Sequence, residues 1–301
     1  MVLSKQLADR GIQVDAYTTI NRVDHPLPMG EFYLDYFIAR RPVVICMENL
    51  GVIDWRTDRW TNSYLFQKAG SQAVTVLKSK DRTDFMSEEA RYEHILFGDF
   101  ITKVMANPEG DETVYLNLQD FEKNRVVEPP LLQLIGDFSV PVYFKDLILR
   151  CMNIWMGNSR LEIITPLHHD FNDNLYVVIE GNKHFTLFPP EQVVNLYTRG
   201  RLVNVGANGI IQYQTNAGMP HLSQVDINNP DLKTFPGYAD AKRTRIDVDL
   251  RKNEMLFLPA GWFHRVSSHG RHIAISFMAV TPTYERMQWM RSQIVEKNSE
   301  G

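Results

Sequence analysis

The sequence has only two cysteines, Cys46 and Cys151, and neither stands in a paired spacing. That excludes a disulfide-stapled scaffold and a cysteine-based zinc module, and it fits a reducing compartment. No apolar run approaches the roughly 20 residues a helix needs to cross a bilayer. The opening segment, MVLSKQLADRGIQVDAY, has lysine, arginine and two aspartates where a signal peptide needs an apolar core. The expectation is a cytoplasmic and/or nuclear protein with no membrane partner. A basic excess is missing too: net charge is −4 and the pI about 6.1, so nucleic acid is a possible but not a favoured partner. Internal repeats, low-complexity tracts and a His-Glu-x-x-His zinc motif are also absent.

What remains is an ordinary globular composition, 44% hydrophobic and 23% charged, long enough to bury a large core. We expect one unit over 1–301: an N-terminal α/β flank (1–110), a β core (111–280) with an insert at 198–234, and a C-terminal helix (281–301). In the flank, Phe32, Tyr33, Tyr36, Phe37 and Ile38 cluster on one helical face that Pro42 ends. PVVICM and SQAVTVLKS read as strands, HILFGDFITKVMAN as a helix, NPEGDE as a turn, and TVYLNLQDF as the start of a run of strands. Farther on, LYVVIEGNKHFTLF reads as two strands joined by a tight hairpin at Gly181-Asn182. RTRIDVDL places Ile246, Val248 and Leu250 on one face, and NEMLFLPAGWFHRVSS and HIAISFMAV supply more strands. Closely spaced antiparallel strands over this length suggest a mainly β jelly-roll sandwich or barrel with flanking helices. The insert shows no periodicity, and TYERMQWMRSQIVEKN is helical, with Tyr284, Met287, Met290 and Ile294 along one stripe.

The chemistry concentrates in TPLHHDFNDNLYVVIEGNKHF. On a strand His168 and Asp170 share a face while His169 points away. Imidazole and carboxylate together suit a divalent transition metal, and His264, near the end of a later strand, is the best third ligand. Two histidines and one carboxylate on one side of an ion form the facial triad of non-haem Fe(II) oxygenases. The rival readings are a hydrogen-bonded surface pair and a catalytic zinc site. An oxygenase using 2-oxoglutarate also needs a cation for the distal carboxylate, which Lys183 can supply; alone, it would read as a solvated lysine. His25, His94, His221, His269 and His272 read as loop, cap or surface residues.

Several blocks, in order, resemble the JmjC (cupin-like) 2-oxoglutarate oxygenases, especially the small JmjC-only hydroxylases. They are NIWMG, TPLHHDFNDNLY, GNKHFTLFPPEQ, SQVDINNPDLKTFPGYADA and NEMLFLPAGWFHRV, with RRPVVI and DWRTDRWTNSYL upstream. The resemblance implies a double-stranded β-helix binding Fe(II), 2-oxoglutarate and O2. It implies His168, Asp170 and His264 as metal ligands and Lys183, Thr165 and Tyr115 as contacts to the distal carboxylate. Asn174 falls near the proximal carboxylate, and Trp155 and Trp262 at packing positions. One departure is ISFMAV where many members have VNFWY, which puts Ser276 at the asparagine position as a cofactor or water contact. The expected activity is hydroxylation of a protein or peptide side chain, lysyl or asparaginyl. Alternatives are a tRNA-base hydroxylase, a lysine demethylase and a non-catalytic binding protein. Met287, Trp289 and Met290 suggest a homodimer through the C-terminal helix, or packing of that helix on its own barrel.

Overall fold

The computed structural model describes residues 19–47, 55–79, 91–107, 113–117, 125–214 and 218–299. Its strands in the first half are β1 (Asn21–Val23), β2 (Val43–Cys46), β3 (Ala73–Ser79), β4 (Arg91–Leu96), β5 (Thr113–Tyr115) and β6 (Leu149–His169). Then come β7 (Asp173–Glu180), β8 (Asn182–Phe188), β9 (Arg201–Val205), β10 (Ile211–Gln214), β11 (Ile246–Arg251), β12 (Glu254–Leu258) and β13 (Phe263–Ala279).

Two of these strands are too long for one sheet. β6 and β13 pair antiparallel almost end to end, with register shifts at His264/Val266 and Ser268/Gly270 that let the ribbon turn. The other edge of β13 is shared, its Ile273–Ala279 half pairing with β7 and its Phe263–Ser267 part with β8. β12 flanks β7, and β11 flanks β8. Each ribbon thereby contributes to two four-stranded layers, β6–β13–β7–β12 and β6–β13–β8–β11. This is the double-stranded β-helix expected, a jelly-roll barrel.

The hairpin expected at Gly181-Asn182 is not there. Asp173 faces Ala279 and Phe188 faces Phe263, so β7 and β8 run in the same direction as one bent ribbon along β13. Gly181 has φ +72°, and a Cβ on it would lie 2.3 Å from the Arg271 carbonyl oxygen. Glycine is required here for a bend, not for a reversal of the chain.

Side-chain alternation explains the layering. Leu175, Val177 and Ile179 of β7 pack outward on the N-terminal flank, while Tyr176 and Val178 pack into the barrel with Phe185, Leu187, Val248, Leu250 and Leu256. A strand covered on both faces reads as the near-continuous apolar run seen in the sequence. β11 lies at an edge and alternates as expected, Ile246, Val248 and Leu250 buried and Asp247, Asp249 and Arg251 exposed.

The outer face of the first layer is closed by the flank. Its helical stretch from Met29 to Phe37 buries Phe32, Tyr33, Tyr36 and Phe37, and the Phe32 and Phe37 rings lie 5.2 and 5.7 Å from Phe257. β2 extends this layer by pairing with β12, and β1 pairs parallel with β2. β4, β3 and β5 form a separate small sheet, which the Leu116–Met156 bridge joins to β6. The helix expected over 94–107 starts only at Phe97, because His94 is committed to the ladder opposite Thr75. Most of NPEGDE and the run beyond Asn117 lie outside the described residues.

The insert and the segments on either side of it close the second layer, setting Val193, Leu196, Val205, Ile211, Val225 and Tyr238 over Leu167, Phe188 and Phe263. Although aperiodic in sequence, it contains the antiparallel pair β9–β10. The terminal helix, Tyr284–Ser299, packs Met287, Met290 and Ile294 on the chain's own core and leaves Trp289 exposed. Two of the three residues offered for a dimer interface, Met287 and Met290, are thus used within the chain, and Trp289 is not. Among the described residues, no helix is long and apolar enough to cross a membrane.

Candidate metal and cosubstrate site

The long β6–β13 ladder places the two candidate histidines opposite each other. His168 near the end of β6 is the cross-strand partner of His264 near the start of β13, and their ring centroids are 4.2 Å apart. Asp170 follows the end of β6, its backbone carbonyl accepting the Gly261 N–H at 3.0 Å. One ligand atom from each of His168, Asp170 and His264 falls within 4.8 Å of the others. The His264 Nε2 and Asp170 Oδ2 atoms are 3.6 Å apart. Each histidine has Nδ1 on a backbone carbonyl two residues upstream, His168 on Pro166 at 2.7 Å and His264 on Trp262 at 3.1 Å. Nδ1 therefore carries the hydrogen, and both Nε2 lone pairs are available to a cation. Burial, with His168 nearby, holds His264 well below the usual imidazole range, in the neutral form a metal requires.

His169 leaves the metal face, as strand alternation requires, but it does not reach solvent. It is fully buried, with Nε2 2.6 Å from the Tyr213 hydroxyl and its ring 4.9 Å from Phe263. Burial pushes its pKa down to about 3. Here Tyr213 of β10 covers the outer face of the barrel. The insert also brings up His221, one of the histidines read as loop or surface. Leu222 bridges His168, the Ser223 N–H donates to the Leu167 carbonyl at 2.9 Å, and the His221 ring comes to 6.1 Å from His168.

The turn leading into β13 and His264 is anchored from the flank. Arg40 holds the buried Asp173 carboxylate with two guanidinium nitrogens, Nη1 to Oδ2 being 3.1 Å. Asp173 Oδ1 also accepts the Ala260 N–H at 2.9 Å, and Trp262 Nε1 donates to the Arg40 carbonyl at 2.9 Å. RRPVVI thus meets both the turn after Asp170 and the turn before His264, a role its sequence pattern did not reveal.

Deeper in the barrel, Lys183 is buried to 1% exposure. Its ammonium donates to the Tyr115 hydroxyl at 3.1 Å and to Ser268 Oγ at 3.2 Å. Among the described residues no carboxylate pairs with it, and burial pushes its pKa down to about 7. Thr165 is half-buried opposite Val266, two residues along β6 from Ile163, which faces Ser268. His272, also read as a surface residue, is fully buried with Nε2 3.2 Å from Ser268 Oγ. Gly157 makes room for it, since a Cβ there would lie 2.9 Å from the His272 ring. The signal available in sequence was its place in HIAISFMAV, a run too apolar for an exposed histidine.

Between the two ends, Ser276 is fully buried and its hydroxyl accepts the Trp155 Nε1–H at 2.8 Å. Asn153 faces Ser276 across the ladder, and Asn174 faces Met278. The Oδ1 atoms of both asparagines are buried without a hydrogen-bond partner among the described residues. Orphaned amide oxygens and an unneutralised lysine are costly unless a bound group satisfies them.

Residues 29–278 match the family described as a cupin-like domain. The Homo sapiens "Bifunctional peptidase and (3S)-lysyl hydroxylase JMJD7" is 30% identical over 273 residues, 85% of this chain and 82% of its own. The Gallus gallus "tRNA wybutosine-synthesizing protein 5" is 28% identical over 255 residues, 81% of this chain and 72% of its own. The Arabidopsis thaliana "Lysine-specific demethylase JMJ30" is 25% identical over 260 residues, covering 83% of this chain and 52% of that protein.

Proposed function

The chain belongs to the cupin-like domain family, and from that premise we propose that it is an Fe(II)- and 2-oxoglutarate-dependent dioxygenase hydroxylating a protein side chain. The observation that carries the reading is the pairing, in one barrel, of the His168–Asp170–His264 group with a buried lysine that meets no counter-charge among the described residues. Two imidazoles and one carboxylate suit ferrous iron, and Lys183 with Tyr115 suits the distal carboxylate of a dicarboxylic keto acid. Bound there, Fe(II) and 2-oxoglutarate would supply the means to place one oxygen atom of O2 on a substrate C–H, with succinate and CO2 as co-products.

The chain's own residues do the positioning. The β6–β13 register sets the spacing of the two histidines, and the backbone carbonyls of Pro166 and Trp262 fix their ring orientation. The Arg40–Asp173 pair ties down the turns on either side of the ligand group. Lys183 anchors one end of the cosubstrate inside an apolar barrel, which excludes water and strengthens the charge contact.

A protein substrate is preferred over tRNA because the basic run Lys242–Arg245 is partly neutralised by its neighbours. Within Lys242–Arg245, Arg245 is bonded to Asp247 at 2.8 Å and Arg243 lies 3.5 Å from Asp240. The relative whose name specifies a lysyl hydroxylase is also matched over most of both chains. The test is to incubate the full chain with Fe(II), 2-oxoglutarate and either cell-extract proteins or bulk tRNA, following succinate and mapping modifications by mass spectrometry. Oxygen gained on one protein side chain supports the proposal. Methyl loss from lysine, or oxygen gained only on tRNA, overturns the choice of reaction or substrate.

A further inference from the structure

We propose that Ser268 and His272 are positioning residues behind Lys183, and that through them an entering dicarboxylate draws one proton from solvent onto the Lys183 amine. The inference rests on the 2-oxoglutarate reading and concerns how that site responds to pH.

The geometry is a short relay. An ammonium has three N–H donors. Tyr115 and Ser268 take two of them at Lys183, at 3.1 and 3.2 Å, leaving one for a ligand carboxylate. Ser268 Oγ also stands 3.2 Å from His272 Nε2. His272 Nδ1 lies 3.0 Å from the Gly270 carbonyl, so it carries the hydrogen and Nε2 presents a lone pair. The Ser268 hydroxyl then points its hydrogen at His272 and its lone pairs at Lys183. An uncharged amine could be served by the reverse orientation, but an ammonium cannot. By giving the Ser268 hydrogen a place to go, His272 favours the charged lysine without touching it.

The surrounding groups leave the charge to the ligand. Tyr115 from β5 and Tyr176 from β7 are both kept protonated by burial. On β13, burial and then Lys183 itself hold His272 neutral. The Arg271 guanidinium turns away to Glu180 at 2.8 Å and Asn62 at 2.7 Å, and His269 is exposed. None of these groups offers a negative charge in the neutral range, and burial alone brings Lys183 down to about 7. A carboxylate set against Nζ restores the ammonium to its ordinary range. The proton passes from solvent to nitrogen, and no covalent bond of the ligand changes. Below pH 7 the lysine is already charged and binding takes up no proton. Above it, binding takes up one, and apparent affinity weakens roughly tenfold per pH unit.

The experiment is calorimetric titration of 2-oxoglutarate into the full chain loaded with Mn(II) in place of Fe(II), in phosphate and in Tris, at pH 6.0 and 8.5. The two buffers' different ionisation heats give the number of protons taken up. The expected result is near zero at pH 6.0 and near one at pH 8.5. Ser268→Ala and His272→Leu move the pH at which affinity starts to fall about one unit toward acid, and Ser268→Thr restores it. An equal proton count at both pH values in the wild type overturns the inference and leaves the dioxygenase reading standing. A pH break unmoved in both Ser268→Ala and His272→Leu overturns the relay. Failure of 2-oxoglutarate to bind at any pH overturns the reading itself and the inference with it.

Discussion

Replacing Arg40 by methionine tests whether the flank holds the site together. Asp173 has no exposed side-chain surface and Arg40 only 11%, so the substitution strands a carboxylate in the interior. Removing one partner of a buried ion pair costs about 3–5 kcal/mol, most of it the desolvation of the charge left behind. Asp173 would retain one backbone donor, the Ala260 N–H, which offsets only part of that cost. Urea unfolding of Arg40→Met is expected to show a loss within that range, and thermal unfolding a drop on the order of 10 °C. Asp173→Leu alone should cost a similar amount by stranding Arg40. The double variant Arg40→Met/Asp173→Leu should be more stable than either single one, because neither charge is left alone. Metal affinity should fall in the single variants, since Ala260 and Trp262 lie in the turn leading to His264. Additive losses, or a single-variant loss below about 1 kcal/mol, would refute the argument that this pair is a buried, coupled tether.

Three further outcomes follow from the same geometry. Lys183→Met should raise the 2-oxoglutarate concentration needed for half-maximal succinate formation by tenfold or more, through loss of a charge-assisted contact, and an unchanged requirement would remove Lys183 from the site. Gly181→Ala should destabilise the fold by about 1–3 kcal/mol in denaturant titration, because the residue holds a left-handed φ of +72° against the Arg271 carbonyl. Stability should also depend on pH through Lys183, whose pKa is about 7 when folded, against 10.5 ordinarily. Between those values the unfolded chain binds the extra proton, so the contribution of Lys183 to stability rises with pH across that window. The ligand-free wild type should therefore gain stability relative to Lys183→Met from pH 7 to 9.5, a trend read from paired urea curves.

Local periodicity explains what was legible. The alternation at Ile246, Val248 and Leu250 and the separation of His168 and Asp170 from His169 are properties of a two-residue repeat, which any strand imposes. The facing helix of Phe32, Tyr33, Tyr36 and Phe37 is equally local. What misled were features decided by tertiary partners. A glycine-asparagine step between two strand-like runs fits a hairpin, yet β13 pairs with both runs and draws them into one ribbon. His94 sits in a stretch with helical character, and the ladder with β3 overrides it. His169 and His272 looked peripheral because nothing in their neighbours says that the insert and the barrel interior close over them. The Arg40–Asp173 tether joins positions 133 residues apart and has no signature in either segment.

The proposed reaction is oxidative decarboxylation of 2-oxoglutarate at the His168–Asp170–His264 group. The most direct measurement is succinate formed from 2-oxoglutarate by purified wild-type chain and by Asp170→Ala, each with and without added Fe(II), with folding of both checked by circular dichroism. Succinate is expected from the wild type only when iron is present, and none above background from the folded variant. Equal iron-dependent succinate from Asp170→Ala, or none from a folded, iron-loaded wild type supplied with its substrate, would contradict it.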